Sequence, residues 1–360
     1  MTETVFGERM LIAHGDIAAT GRDSAALPAP DEGDVLFAVR RIALTANNVT
    51  YAAAGEMMGY WRFFPGPEGK GILPVWGFAE AVESRAEGIA AGDRFYGYWP
   101  LATHLLVRAP EPNAQGFTDT AAHRQGLSDV YNRYQPAPEH SADDEAIEAL
   151  FRPLFMTGWL IDRFLDAAED FGAAQVILSS ASSKTAQAAA FNLTRRQGRQ
   201  PAVVGLTSAA NRAFVESLGS YDRVLTYDAV DSIETCPSVY VDFAGDSALT
   251  AKVHTHLGDA LKHSAIVGMT HWSEAGGGTA MPGPTPTLFF APTAAEATVA
   301  ALGPAGFAEA NGKAWAAFVP HVRGKLALET RRGIAEAEAA YRSLAAGRIG
   351  GAAGIVVELD

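Results

Sequence analysis

Residues Gln175–Leu193 read QVILSSASSKTAQAAAFNL. An apolar run, Val176, Ile177 and Leu178, breaks into small polar residues and then into an Ala-rich stretch. That is the layout of a strand, a turn and a helix, the place where α/β folds usually seat the pyrophosphate of a dinucleotide. The glycines of such a turn are absent, however. No residue from Gln175 to Leu193 is Gly, so no G-x-G-x-x-G fingerprint can be laid on the turn, where Ser180, Lys184 and Ala186 stand instead.

Three readings compete for this turn. In the first it is a P-loop, with Lys184-Thr185 as the K-[ST] ending and Asp242, closing the run VYVD, as the magnesium-holding acid. The two P-loop glycines then fall on Leu178 and Ser183, and a nest of backbone N–H groups needs positive φ there, which Leu tolerates badly. In the second, the small residues let strand and helix pack closely, and Ser182 and Ser183 cap the helix. Against it, Lys184 in a first turn opposes the helix dipole by roughly 0.3–1 kcal/mol unless an anion is near. In the third, the turn is a modified dinucleotide site. The N–H groups of the helix start face the diphosphate, the hydroxyls of Ser179, Ser180 and Ser183 donate, and Lys184 adds charge. A serine in a left-handed conformation costs on the order of 1 kcal/mol, which one charged contact offsets. This third reading is the one carried forward.

Outward from the turn, two further strand-then-helix units follow, Ala202–Gly219 (AVVGLTSAANRAFVESLG) and Ser238–Gly258 (SVYVDFAGDSALTAKVHTHLG), then the strand runs HSAIVGMT and PTLFFAP. A helix, EALFRPLFMTGWLIDRFLDAA, leads into the series. Strands alternating with helices predict a doubly wound parallel sheet. An NAD-specific sheet ends its second strand in an acid that accepts the ribose hydroxyls. Here that strand runs into Thr207 and Ser208, with Arg212 further on and no acid, a set that attracts a 2′-phosphate. NADP(H) is therefore the expected cofactor. The plain alternative is that Thr207 and Ser208 cap the next helix while Arg212 lies on its solvated face.

Before the α/β region, residues up to about 110 read as short strands punctuated by Gly and Pro, among them DVLFAVRRIALT and PVWGFAEAVESR, the pattern of a barrel-like β domain. Residues 111–147 form a long polar connection that offers His123, Tyr131, Asn132 and Tyr134. Near the end, KLALETRRG and GIVVELD read as strands around the amphipathic helix IAEAEAAYRSLAAG, so the tail is expected to rejoin the first domain. The expected division is 1–148, 149–293 and 294–360.

Composition narrows the partners. With Lys+Arg 28 against Asp+Glu 41, the net charge of -13 argues against nucleic acid or an anionic membrane. No apolar run approaches the roughly 20 residues of a membrane span, and the charged N-terminus does not resemble a signal peptide. The single cysteine, Cys236, excludes an internal disulfide and a Cys-rich zinc site, and a reducing cytoplasm is the expected setting.

The order of these segments resembles the medium-chain dehydrogenase/reductase superfamily, in its zinc-free quinone oxidoreductase and enoyl reductase branch. The likeness is carried by VLFAVRRIALTANNVTYAAAG, PVWGFAEAVESRAEGIAAGDRFYGY, LFRPLFMTGWLIDRFL, VVGLTSAANRAFVESLGSYDRVLTYD and IAEAEAAYRSLAAGRIGGAAGIVVEL. More narrowly, LTANNVTYA, LPVWGFAE, YNRYQ, LSSASSKTA and YDRVLTYD resemble a bacterial subfamily described as a domain of unknown function. The resemblance implies a GroES-like β-barrel domain with a Rossmann insert, NADP(H) in the cleft between them, and a homodimer. It implies cofactor contacts from Thr157, from Ser180, Ser182, Ser183, Lys184 and Thr185 at the turn, and from Thr207, Ser208 and Arg212 at the 2′-phosphate. Tyr227, Ala244, Gly245 and the run Gly268, Met269 and Thr270 complete that set.

Zinc enzymes of the superfamily use a Cys ligand in the first domain, whereas Cys236 lies in the second, so no metal is expected and a side-chain donor must polarise the substrate. The resemblance points to a Tyr in the substrate loop. Tyr51 is the first candidate, with Asn48 orienting the substrate and Tyr60 as second choice. A tyrosine is an O–H donor at neutral pH, suited to a developing enolate or alkoxide. The expected activity is reduction of a small carbonyl, enone or quinone-like compound by hydride transfer. The rivals are a lyase, isomerase or binding protein that keeps the fold with an altered turn, and the P-loop phosphohydrolase.

Overall fold

The computed structural model describes residues 6–109, 111–198, 201–267 and 281–359. The chain divides into two compact units: Met1–Leu150 with Leu328–Ile349 and Ala353–Asp360, and Phe151–Ala327 with Gly350–Ala352.

In the second unit a six-stranded parallel sheet runs in the spatial order Arg223–Thr226, Ala202–Thr207, Gln175–Leu178, Ser238–Asp242, Leu261–Ile266, Thr287–Leu288. In chain order that is 3-2-1-4-5-6, the doubly wound Rossmann order, with its switch point between the first and fourth strands. Val176, Ile177 and Leu178 are buried on both faces, which is why that strand reads as an unbroken apolar run. Helices Ala142–Ala167 and Lys184–Leu193 pack so closely that a Cβ on Gly158 would lie 2.6 Å from the Ala189 nitrogen. Backbone proximity that the turn does not obtain from glycine is thus supplied by Gly158 and the Ala-rich helix face.

The third segment needs correction. Residues 294–326 do not return to the first domain: helix Ala291–Val322 belongs to the second unit, and the return begins at Leu328. Phe318 decides this, since its ring packs on Phe151, Phe155 and Phe191 of the same unit. Gly303, Pro304 and Pro320 hid the helix in the sequence, and Gly303 does break its regular backbone, with φ 72°.

The first unit is built on antiparallel strands, with Asp34–Leu44 pairing Pro74–Ser84, His104–Arg108 and Ala353–Glu358. A smaller sheet of Phe6–Ala13, Asp16–Ala26 and Lys70–Ile72 accompanies it. Phe37, Phe95, Trp99, Phe117 and Tyr134 form the main core, and a second cluster gathers Tyr51, Phe63, Phe64 and Tyr98. The connection 111–147 is more ordered than expected. It pairs Phe117–Thr118 with Arg133–Pro136 and seals itself with the buried Arg124–Asp119 ion pair at 2.9 Å.

Candidate active site

The turn after Gln175–Leu178 opens at the switch point of the sheet, where open α/β sheets seat their ligands. Ser179 locks it to the neighbouring strand. Its Oγ donates to Asp242 Oδ1 at 2.6 Å and accepts the N–H groups of Phe243 and Ala244 at 2.8 and 3.0 Å. Asp242 Oδ1 also accepts from the amides of Ala244 and Gly245, and Thr250 Oγ1 donates to Oδ2. Ala244 and Gly245, expected beside the cofactor, are therefore held by a buried carboxylate. That use of Asp242 leaves it a structural acceptor, unlike the solvent-facing acid that the P-loop reading requires.

Ser180 follows with φ +46°, the left-handed conformation that a fingerprint glycine adopts at little cost. The P-loop positions do not share it: Leu178 lies in the strand, and Ser183 has φ -70°. Burial raises the Tyr227 phenol, and its interaction with Ser180 pulls it back. Ser183 caps the helix by accepting the Ala186 N–H at 3.3 Å. Thr185 is half-buried in the same first turn. N–H groups of a first turn have no intrahelical acceptor, so the start of Lys184–Leu193 keeps the electropositive character that an anion meets.

Lys184 has a different post from the one expected at the diphosphate. It is buried, and its ammonium donates to the Gly351 carbonyl at 2.8 Å. Burial pushes its pKa down to about 8. Around that contact, Gly351 lies so close that a Cβ there would meet the Ser182 Cβ at 2.4 Å, and its N–H donates to Asn211 Oδ1 at 3.1 Å. Asn211 Nδ2 donates in turn to Ser182 Oγ at 3.2 Å. The clamp joins Ser182, Lys184, Asn211 and Gly351. Asn211 was missed as a site residue because it sits in an ordinary polar run and gains its role only from Gly351.

At the end of the second strand Thr207 is fully buried, and among the described residues its Oγ1 has no hydrogen-bond partner. Ser208 is half-buried and makes no capping bond with its side chain. Arg212 is exposed and pairs with Glu216 at 2.9 Å, one helical turn on, as the solvated-face reading anticipated. Thr157 donates back to the Pro153 carbonyl of its own helix at 3.4 Å. Gly268, Met269 and Thr270, like His271 and Trp272, lie outside the described residues.

In the first unit Tyr51 is buried and accepts the Trp76 indole N–H at 3.0 Å. Its ring lies 4.7 Å from that of Tyr60, and Tyr98 and Tyr131 meet it edge-on at 5.4 and 6.3 Å. Burial raises the Tyr51 phenol well above its ordinary value, so the group stays an O–H donor. Asn48 is drawn into the fold instead: its Oδ1 accepts the Thr45 N–H at 2.7 Å, and its Nδ2 donates to the Pro74 carbonyl at 2.9 Å. Both ends of its amide are spent on placing the helix Ala46–Ala53, which corrects its assignment as a substrate-orienting residue. Tyr131 joins from the long connection, where the sequence showed only scattered aromatics. Among the described residues no three His, Cys, Asp or Glu side chains gather where they could hold a metal ion.

Residues 42–350 match the family described as "Protein of unknown function (DUF2855)". The chain belongs to that family. Solved structures with this fold include CurA from Vibrio vulnificus in complex with NADPH, at TM-score 0.63 and 12% identity, covering 98% of this chain and 99% of that one. The CurK enoyl reductase gives TM-score 0.61 at 14% identity, again with 98% and 99% covered. The yhdH oxidoreductase from Salmonella enterica in complex with NADP gives TM-score 0.51 at 14% identity, with 98% and 100% covered. At these identities the likeness establishes the fold alone, a GroES-like β domain with a Rossmann domain. No curated protein matches the sequence. Among the described residues no helix is long and apolar enough to cross a membrane.

Proposed function

We propose that the chain is an NADP(H)-dependent, zinc-independent oxidoreductase that reduces a small carbonyl, enone or quinone-like compound. The observation that carries this reading is Ser180 at φ +46°, in a glycine's conformation at the switch point, on a sheet whose second strand ends without an acid. A non-glycine residue held left-handed costs about 1–2 kcal/mol, and such strain concentrates at ligand sites. The residues present fit a phosphorylated dinucleotide. Ser180, Ser183 and the helix start would hold the diphosphate, and the Thr207 hydroxyl, without a hydrogen-bond partner among the described residues, would meet the 2′-phosphate together with Ser208. Three of the similar structures carry NADPH or NADP in their own descriptions.

The cofactor's chemistry, when bound, is supply of a hydride to the substrate carbon. Tyr51 does the complementary work of giving its phenolic proton to the oxyanion or enolate, and Trp76 fixes the Tyr51 oxygen. Independence from zinc is supported by the position of Cys236, the sole cysteine, in the second unit. A homodimer, checked by light scattering, is part of the proposal.

The test is a titration of nicotinamide fluorescence. Enhancement with NADPH at micromolar concentration and at least about tenfold weaker binding of NADH is the expected result, since one charge-assisted phosphate contact is worth roughly 1.4 kcal/mol or more. No binding of either cofactor at millimolar concentration overturns the reading.

A further inference from the structure

We propose that Asn211 sets the preference for a phosphorylated dinucleotide by tying the loop after the second strand to the glycine-free turn, with Gly351 as the anchor of that tie. The inference rests on the reductase reading above and adds two positioning residues to it, both in the second unit.

Asn211 stands where a side chain ordinarily starts a helix. It is the N-cap of Arg212–Leu218, and Asn is among the residues favoured there because its oxygen can accept an N–H of the first turn. That bond is not made. The amide is engaged elsewhere: Oδ1 accepts the Gly351 N–H at 3.1 Å, and Nδ2 donates to Ser182 Oγ at 3.2 Å. A backbone N–H can only donate, which fixes the end of the amide that meets Gly351 and leaves the other end for Ser182.

Two loops are thereby joined. Ser182 belongs to the turn to which the reductase reading gives the diphosphate, and Asn211 closes the short turn Ala209–Asn211 that follows Thr207 and Ser208, to which it gives the 2′-phosphate. The Asn211 N–H donates to the Ser208 carbonyl at 3.0 Å, so whatever fixes Asn211 fixes Ser208 with it. NADPH needs both loops in register. NADH, with no 2′-phosphate, needs only the turn.

The turn itself is braced on both sides of Ser180. Ser179 is held through Asp242, the Ala181 N–H donates to the Leu206 carbonyl at 2.9 Å, and the Ala181 carbonyl accepts the Tyr221 hydroxyl at 2.8 Å. The Ser182 carbonyl accepts Gln187 Nε2 at 2.8 Å. A left-handed serine persists where its surroundings over-determine it, and Ser180 stands inside this bracing. Gly351 completes it by contact, since a Cβ there would fall 2.4 Å from the Ser182 Cβ and 2.8 Å from its Oγ. Gly351 does not have positive φ, so its missing side chain provides proximity and not conformational freedom. Loops fixed in this way meet a ligand without the ordering cost that free loops carry.

Asn211→Ala removes both side-chain bonds. In nicotinamide fluorescence titrations it is expected to lose at least about tenfold in NADPH affinity and less than about twofold in NADH affinity, because two hydrogen bonds of ordinary strength hold the loop that only NADPH uses. In cofactor-free protein, amide hydrogen exchange should quicken at Gly351 and stay unchanged at Ser179, whose N–H donates to Val241. Gly351→Ala should also weaken NADPH, and should have little further effect once Ser182→Gly has removed the opposing Cβ. Equal proportional losses of NADPH and NADH in Asn211→Ala, or no loss of either, overturn the proposal while wild-type preference for NADPH upholds the reductase reading. A loss from Gly351→Ala as large in the Ser182→Gly background as in the wild type also overturns it, as does unchanged exchange at Gly351 in Asn211→Ala. Wild-type protein that binds neither cofactor at millimolar concentration overturns both.

Discussion

At Ser179, on the strand side of the turn, both the N–H and the hydroxyl have partners: the N–H donates to Val241, and the hydroxyl serves Asp242 and two amides. At Tyr98, in the aromatic cluster of the first unit, the hydroxyl is equally buried and has none among the described residues. The two sites show that burial alone says little about what a hydroxyl is for. In the turn, backbone groups at a strand end demand acceptors, and a small side chain is conscripted to complete the ladder. In the cluster the rings provide the stability through edge-to-face packing, and the hydroxyls are left over for chemistry or for nothing.

That contrast can be broken experimentally. The largest effect is expected from Ser179→Ala, which strips an acceptor from the Phe243 N–H and a donor from buried Asp242. Urea unfolding should show a loss of about 2 kcal/mol or more. A loss below about half of that would mean that the network is replaceable by water. Lys184→Met comes next. Burial holds this ammonium at about 8 against 10.5 for an ordinary lysine. Between those values the unfolded chain binds a proton that the folded chain has lost, so wild-type stability rises as pH climbs through that window. The methionine variant should lack the rise, and unfolding curves taken across the window will show whether the two profiles converge. The smallest effect is expected from Tyr98→Phe. Removing a hydroxyl with no partner should leave stability within about 0.5 kcal/mol or raise it. A clear loss by calorimetry would show that an ordered water or an internal partner satisfies it, and the two regions would then be alike.

Much of the second unit was legible from the chain. The strand-and-helix alternation gave the parallel sheet, and the run Val176–Leu178 marked its central strand, because a strand covered on both faces must be apolar throughout. A left-handed serine was expected in the turn without being assigned to one residue, and the structure puts it at Ser180. The long helix Ala291–Val322 was not legible. Its glycines and prolines read locally as breaks, and only packing through Phe318 reveals where it belongs. The site divided in the same way. Ser183 as a cap and Arg212 beside Glu216 depend on neighbours three or four residues away. Asn48 looked like a substrate ligand because nothing nearby announced that Pro74 would claim its amide.

By itself, then, the amino-acid order determined the periodicities, a turn built of small polar residues in place of glycines and the missing acid after the second strand. Tertiary structure alone decided that Lys184 reaches Gly351, 167 residues away, and that the ring of Tyr131 meets that of Tyr51 edge-on at 6.3 Å. The physical reason is range. Backbone conformation and amphipathic pattern are set by steric and solvation terms within a few residues, whereas the partner of a buried polar group is whichever segment the folded core carries past it.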